Sequence, residues 1–186
     1  MTEFLTVVHE VKDFGAWKPI YDADAGNRAA AGLTDVMVAR HSANPNNVAL
    51  MFGVSDRAKA QAMMQSPKLR ETMEGAGVIG PPTARFRQGA FTKKDSANYL
   101  TLNCTVSSFD TFKNGFAMDA ADRKNASLTD LGVLQAVENP NDLLLVWAVG
   151  DVARATAFLN SPDLAAHQVK NAGLVGKLEA HFWTAG

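Results

Sequence analysis

Two kinds of apolar pattern alternate along the chain. Phe4 to Val11 is rich in β-branched and aromatic residues and reads as a strand. After it, Phe14, Trp17, Ile20, Tyr21 and Ala25 recur at three- and four-residue spacing, which makes one helix face, with Asp13 placed to cap it. Pro19 falls inside that face. Either it occupies the first turn, or the helix starts later than Asp13, or it kinks there. Gly32 serves as a helix stop. Leu33 to His41 is a second strand and Asn44-Pro45-Asn46-Asn47 a turn. Val48 to Val54 is almost wholly apolar, as a central strand is. Asp56 caps a helix carrying Ala60, Met63 and Met64. Ser66-Pro67 opens another, with the serine as cap and the proline in the first turn, where its missing N–H costs nothing. Gly75 and Gly77 close that helix, and Thr83 to Gln88 is a fourth strand. The order is β-α-β-β-α-β.

The chain then writes this order a second time. Ser66-Pro67 and Ser161-Pro162 stand 95 residues apart, and the same offset pairs Asp56 with Asp151 and Asn44-Pro45-Asn46 with Asn139-Pro140-Asn141. It also pairs Leu33-Thr34-Asp35 with Leu128-Thr129-Asp130, Arg28 with Arg123, and Phe14 with Phe109. Other positions swap like for like, among them Phe52 with Trp147 and Tyr21 with Phe116. A gap-free register of this length marks an internal repeat. Asn114 stands where the first half has Pro19, so the fold does not require that proline. The second half reads as strands Tyr99–Val106, Leu128–Val137, Leu143–Val149 and Leu178–Trp183, with helices through Phe109, Phe112 and Phe116 and from Asp151 and Ser161. Residues 1–88 and 99–186 are the two repeats, and residues 89–98, which include Lys93-Lys94-Asp95-Ser96 and lack periodicity, read as a linker.

An antiparallel sheet with helices on one face leaves its other face uncovered. Two copies in one chain can cover both by packing their open faces together. The expected class is therefore α+β, two ferredoxin-like βαββαβ repeats forming an intrachain α+β barrel. Both halves carry an S-P-x-L pattern followed by A-G-[VL]-[IV]-G, at Ser66–Gly80 and Ser161–Gly176. With this element order, the pattern resembles the dimeric α+β barrel superfamily, which includes small bacterial monooxygenases of the antibiotic-biosynthesis type. The resemblance covers both halves and implies a pseudo-dimer fused into one polypeptide. Members of that superfamily include oxygenases, isomerases, haem-degrading enzymes and proteins of no assigned activity, so it implies a fold more than a reaction.

The bulk numbers narrow the setting. Hydrophobic residues make up 47% of the 186 and charged residues 20%, an ordinary globular balance. A net charge of −1, with cations spread over both halves, gives no footprint for nucleic acid. No stretch approaches the ~20 apolar residues of a membrane span. The start, Met1-Thr2-Glu3-Phe4, lacks a secretory signal's basic and apolar regions. Cys104 is the one cysteine, so no intrachain disulfide forms, which suits a cytoplasmic location.

Strand parity sorts the candidate chemistry. Leu5, Val7, His9 and Val11 share a face that packs under the helices, as do Leu100, Leu102, Cys104 and Val106. His9 is then a polar group in an apolar layer, either a pocket residue or a satisfied core histidine. Val48, Leu50, Phe52 and Val54 match Leu143, Leu145, Trp147 and Val149, so Phe52 and Trp147 either wall aromatic pockets or pack as core. Met63, Met64 and Met73 would line an adaptable cavity or fill it. Arg40 and Arg85, near strand ends of the first half, would favour an anionic or carbonyl-bearing ligand, with solvated strand residues as the competing reading.

His167 follows Pro162 on the short Ser-Pro helix. Haem-degrading members of the superfamily carry a haem-ligating histidine on a comparable helix. Here the spacing is one residue short, a turn of about 100°, and Phe158 stands where that pattern has tryptophan. No haem or other cofactor is therefore expected. The four histidines show no paired spacing for a metal, and no G-x-S-x-G elbow is present. The ligand-binding candidates are His9, Arg40, Phe52, Arg85, Trp147 and His167, and no catalytic residue is assigned.

Two readings of function remain open: a small-molecule binder or cofactor-independent monooxygenase, and a non-enzymatic barrel with filled pockets. A cavity of ~300 Å³ or more with convergent polar groups would favour binding. The first half, with smaller side chains at Phe52 and Met63, is expected to hold the more open site. The expected partner is a small molecule, with further homo-oligomerisation left open.

Overall fold

Leu5, Val7 and Val11 are buried in the computed structural model of the protein, which describes residues 2–162, 164 and 172–186. The chain divides into two compact units, residues 1–87 with Gly186 and residues 88–185. The first unit runs β1 (Thr2–Val11), α1 (Phe14–Ala23), α2 (Ala25–Ala30), β2 (Leu33–His41), β3 (Asn47–Val54), α3 (Arg57–Met64), α4 (Pro67–Gly75) and most of β4 (Val78–Phe91). The second runs β5 (Asn98–Thr105), α5 (Phe109–Met118), α6 (Ala120–Asn125), β6 (Leu128–Ala136), β7 (Asp142–Val149), α7 (Val152–Leu159) and β8 (Glu179–Ala185). The helix expected from Ser161 lies largely outside the described residues. Each unit is α+β with the βαββαβ order of a ferredoxin-like repeat.

Strand β4 is longer at both ends than the pattern from Thr83 to Gln88 suggests and continues to Phe91. In the first unit the strand order is β4-β1-β3-β2 and in the second β8-β5-β7-β6. The strands β3 and β7 pair antiparallel on both sides, which explains why they are the most continuously apolar. In β1 and β3 His9 lies opposite Val48, and in β5 and β7 Cys104 lies opposite Leu143.

The helix starts follow the capping residues. Asp13 accepts from Ala16 N–H at 2.7 Å, Asp56 from Lys59 N–H at 3.1 Å, Ser66 from Leu69 N–H at 3.1 Å and Asp151 from Arg154 N–H at 3.0 Å. Helix α1 thus begins at Phe14, and Pro19 sits within it. The chain breaks between helices at Asp24, and again at Asp119 in the second unit, where no proline precedes the break. The break therefore belongs to the repeat and not to Pro19.

One face of each sheet packs under the helices. Leu5, Val7, Val11, Val48, Leu50 and Phe52 form the first core with Trp17 and Ala60. Leu100, Leu102, Cys104, Leu143, Leu145 and Trp147 form the second with Phe112 and Ala155. Each fully buried leucine or valine here contributes about 2 kcal/mol. Two features recur at equivalent places. Strand β2 carries a bulge between Asp35 and Met37, and β6 one between Asp130 and Gly132. The turn after α2 puts Gly32 at φ +74° against Ser55, whereas the turn after α6 puts Ser127 at φ +63° against Gly150. A Cβ on Gly32 would lie 2.9 Å from Ser55 Oγ, and one on Gly150 2.8 Å from Ser127 Oγ. The small residue has changed sides of the same contact.

Candidate functional site

Between the sheet and the helices of the first unit lies a cavity of about 90 Å³. Its walls are Val7 and His9 from β1, Trp17 and Tyr21 from α1, Phe52 from β3, and Met63, Met64 and Met73 from α3 and α4. The corresponding space in the second unit is about 50 Å³, walled by Phe112, Phe116, Trp147 and Phe158 among others. Both fall below the ~300 Å³ of a drug-sized site. The first is nonetheless several times what one water needs, so it suits an occupant of about one ring or a short branched chain. Phe158 and Trp147 replace Met63 and Phe52, and their larger rings take up the difference.

His9 is the polar group on this wall. It is 7% exposed, and neither Nδ1 nor Nε2 has a hydrogen-bond partner. Its ring meets that of Trp17 edge-on, with centroids 5.5 Å apart at 62°. Burial lowers its pKa from 6.5 to about 4, so the imidazole is neutral at pH 7.

Phe52 lines the same cavity, and Trp147 lines that of the second unit. Arg40 and Arg85 do not line either. Arg40 donates from Nε to Pro45 C=O at 2.9 Å and lies 4.2 Å above the Phe14 ring, strapping the turn before β3. Gln135 does the same in the second unit, donating to Pro140 C=O at 2.9 Å, so that position has a structural duty in both repeats. Arg85 is exposed on β4, and its carbonyl accepts from Thr6 Oγ1 at 3.3 Å. His167 lies outside the described residues. Among the described residues no group of three or more His, Cys, Asp or Glu side chains converges on a common point.

A buried arginine at the rim of each cavity is the feature that sequence reasoning did not assign. Arg28, 6% exposed, donates from Nε and Nη2 to both oxygens of Asp35 at 3.1 and 3.0 Å, and from Nη1 to Tyr21 C=O at 2.6 Å. Its guanidinium lies 3.8 Å from the Tyr21 ring centroid. Arg123 repeats every contact, with Asp130 at 2.9 and 2.9 Å, Phe116 C=O at 2.6 Å, and the Phe116 ring at 3.5 Å.

The third donor to the aspartate differs between the units. Tyr21 O–H donates to Asp35 at 2.7 Å, whereas Trp147 N–H donates to Asp130 at 2.7 Å. Trp147 can do so because it is the register partner of Asp130, as Phe52 is of Asp35. Burial pulls the Asp35 carboxyl up, but the hydrogen bonds from Arg28 and Tyr21 outweigh it and hold the group below its ordinary value. Burial, and then the bond to Asp35, push the Tyr21 hydroxyl well above its ordinary value. The repeated Arg28/Arg123 and Asp35/Asp130 positions were the visible signal for this pair.

No protein-family model matches the chain, and no curated protein does. Solved structures do. An anthrone oxidase-like protein superposes with a TM-score of 0.65 at 8% identity, over 100% of this chain and 91% of its own. A candidate monooxygenase from Lactobacillus acidophilus gives 0.62 at 10% identity, over 99% and 94%. An uncharacterised ferredoxin-fold protein from Listeria monocytogenes, related to antibiotic-biosynthesis monooxygenases, gives 0.53 at 8%, over 100% and 95%. At these identities the likeness is one of fold, and the chain shares the fold of these monooxygenase-like proteins along nearly its whole length.

Proposed function

We propose that the chain binds a small apolar or aromatic molecule in the first-unit cavity between sheet and helices. The observation that carries this reading is the cavity itself, an apolar space of about 90 Å³ walled by Trp17, Phe52 and methionine side chains. Methionine thioethers are flexible and polarisable, so such a wall reshapes around an occupant more readily than one of branched residues. In the second unit the matching volume is about 50 Å³ and is walled by larger rings, which makes it the poorer site.

Methyl-labelled methionine spectra test the reading, because the chain has 7 methionines and Met63, Met64 and Met73 line the cavity. Toluene or indole should shift those three saturably and leave Met118, 67% exposed, unmoved. Absence of any saturable shift would favour a filled core without a ligand.

A second reading is a cofactor-independent monooxygenase acting on the bound molecule. It is supported by the fold shared with monooxygenase-like proteins and by a neutral imidazole in an apolar cavity, a group able to accept a proton from substrate. Oxygen uptake coupled to loss of a candidate substrate, and absent in a His9→Phe variant, is the expected result.

A further inference from the structure

The charged and hydroxyl-bearing side chains on the wall of the first-unit cavity are engaged within the protein. The Tyr21 hydroxyl is held by Asp35, and the Arg28 guanidinium by Asp35 and the Tyr21 carbonyl. Asp24 accepts from Asn27, and Thr72 Oγ1 donates to Lys68 C=O. His9 also lines this space, and neither of its buried ring nitrogens has a hydrogen-bond partner. Nine in ten or more buried polar groups in folded proteins have a partner, so this one calls for an explanation. A neutral imidazole offers one N–H donor and one acceptor nitrogen. The second repeat removes the issue by carrying Cys104 at the equivalent position.

We infer that His9 is the polar contact for a small, neutral, hydroxyl-bearing apolar ligand, whose O–H donates to the unpartnered acceptor nitrogen of the imidazole. This rests on the binding reading above and adds the ligand's polar group. An anionic ligand is disfavoured, because the one guanidinium at the rim is already paired with Asp35 and an unpaired charge is costly in an apolar space. Volume limits the apolar part to about a single ring or a short branched chain. The matching group on the ligand is a hydroxyl, which both donates and accepts as the imidazole does.

Toluene and p-cresol differ by one hydroxyl and form the test, read on the full chain by the methionine methyls and by the ¹⁵N shifts of the His9 ring. p-Cresol should bind the wild type about five- to tenfold more tightly than toluene, and the acceptor nitrogen of His9 should shift on binding. In His9→Phe that preference should vanish or invert while toluene still binds, because the cresol hydroxyl is then buried without a partner. His9→Cys, the side chain that the second repeat carries there, gives the same comparison if the phenylalanine is too large. Equal preference for p-cresol in wild type and variants, or toluene binding as tightly as p-cresol to the wild type, would overturn the role of His9 and leave the cavity reading standing. Failure of both probes to move Met63, Met64 and Met73 would overturn the cavity reading, and this inference with it.

Discussion

His9 gives the fold a dependence on acid that can be read directly. In the unfolded chain its imidazole takes up a proton near pH 6.5, and in the fold only near pH 4. Between those values the unfolded state binds more protons, so this contribution is whole above about pH 6.5 and is lost as pH falls toward 4. The shift corresponds to something on the order of 3 kcal/mol. Charged groups on the same cavity wall, Asp24 and Arg28, are engaged by Asn27 and Asp35 and do not hold the proton on His9. Asp35 weakens the fold in the same direction, but below its ordinary value of 3.8, where it too is protonated. Urea denaturation at pH 7 and pH 4.5 should show the wild type losing clearly more stability than His9→Phe. Equal losses would mean that the imidazole is protonated in the fold. Strand parity in the sequence was enough to put His9 in the apolar layer. It could not show that Arg40 straps a turn, because its partner is the carbonyl of Pro45 and a carbonyl leaves no mark in a sequence.

At the scale of elements, the arginine–aspartate pair joins the helix pair to β2 in one unit and to β6 in the other. Its residues were visible as repeated letters, yet Arg28 and Asp35 stand seven apart across a helix stop and meet only when α2 folds back on the sheet. The bulge following Asp35 was not legible at all, since strict alternation from Leu33 would put Met37 on the helix side. With the bulge, Val38 packs on the helix-side core instead. Exchange of the third donor makes a prediction about elements. Tyr21→Phe removes the helix-borne donor to Asp35 and should cost about 1 kcal/mol, since Asp35 keeps both Arg28 bonds and is part exposed. Adding Phe52→Trp puts an indole N–H opposite Asp35, as Trp147 stands opposite Asp130. The double variant should recover stability by a non-additive amount in a thermodynamic cycle. Purely additive effects would show that the indole cannot reach the carboxylate across this pair of strands.

For the whole molecule, duplication supplies an internal control. Met63→Phe copies Phe158 into the first unit. It should abolish toluene binding there with melting temperature unchanged or raised, because the added ring fills existing space. Persistent saturable shifts at Met64 and Met73 would show that the added ring does not fill the space. The fold was the most legible level because the 95-residue offset tests every element twice, and caps such as Asp13, Asp56 and Ser66 mark where helices begin. The volume of a cavity is not legible in the same way, since it is a small remainder after all side chains have packed.

The contact between the turn after each helix pair and the strand end opposite it also carries a history. Gly32 with Ser55 and Ser127 with Gly150 are two solutions to one crowded contact. Descent from a common repeat requires two substitutions in one lineage or one in each, and the order matters. Serine on both sides sets a Cβ within 3 Å of a hydroxyl, whereas glycine on both sides has no such conflict. Of the two single-step intermediates between the present-day pairs, glycine–glycine is therefore the one that avoids the steric conflict.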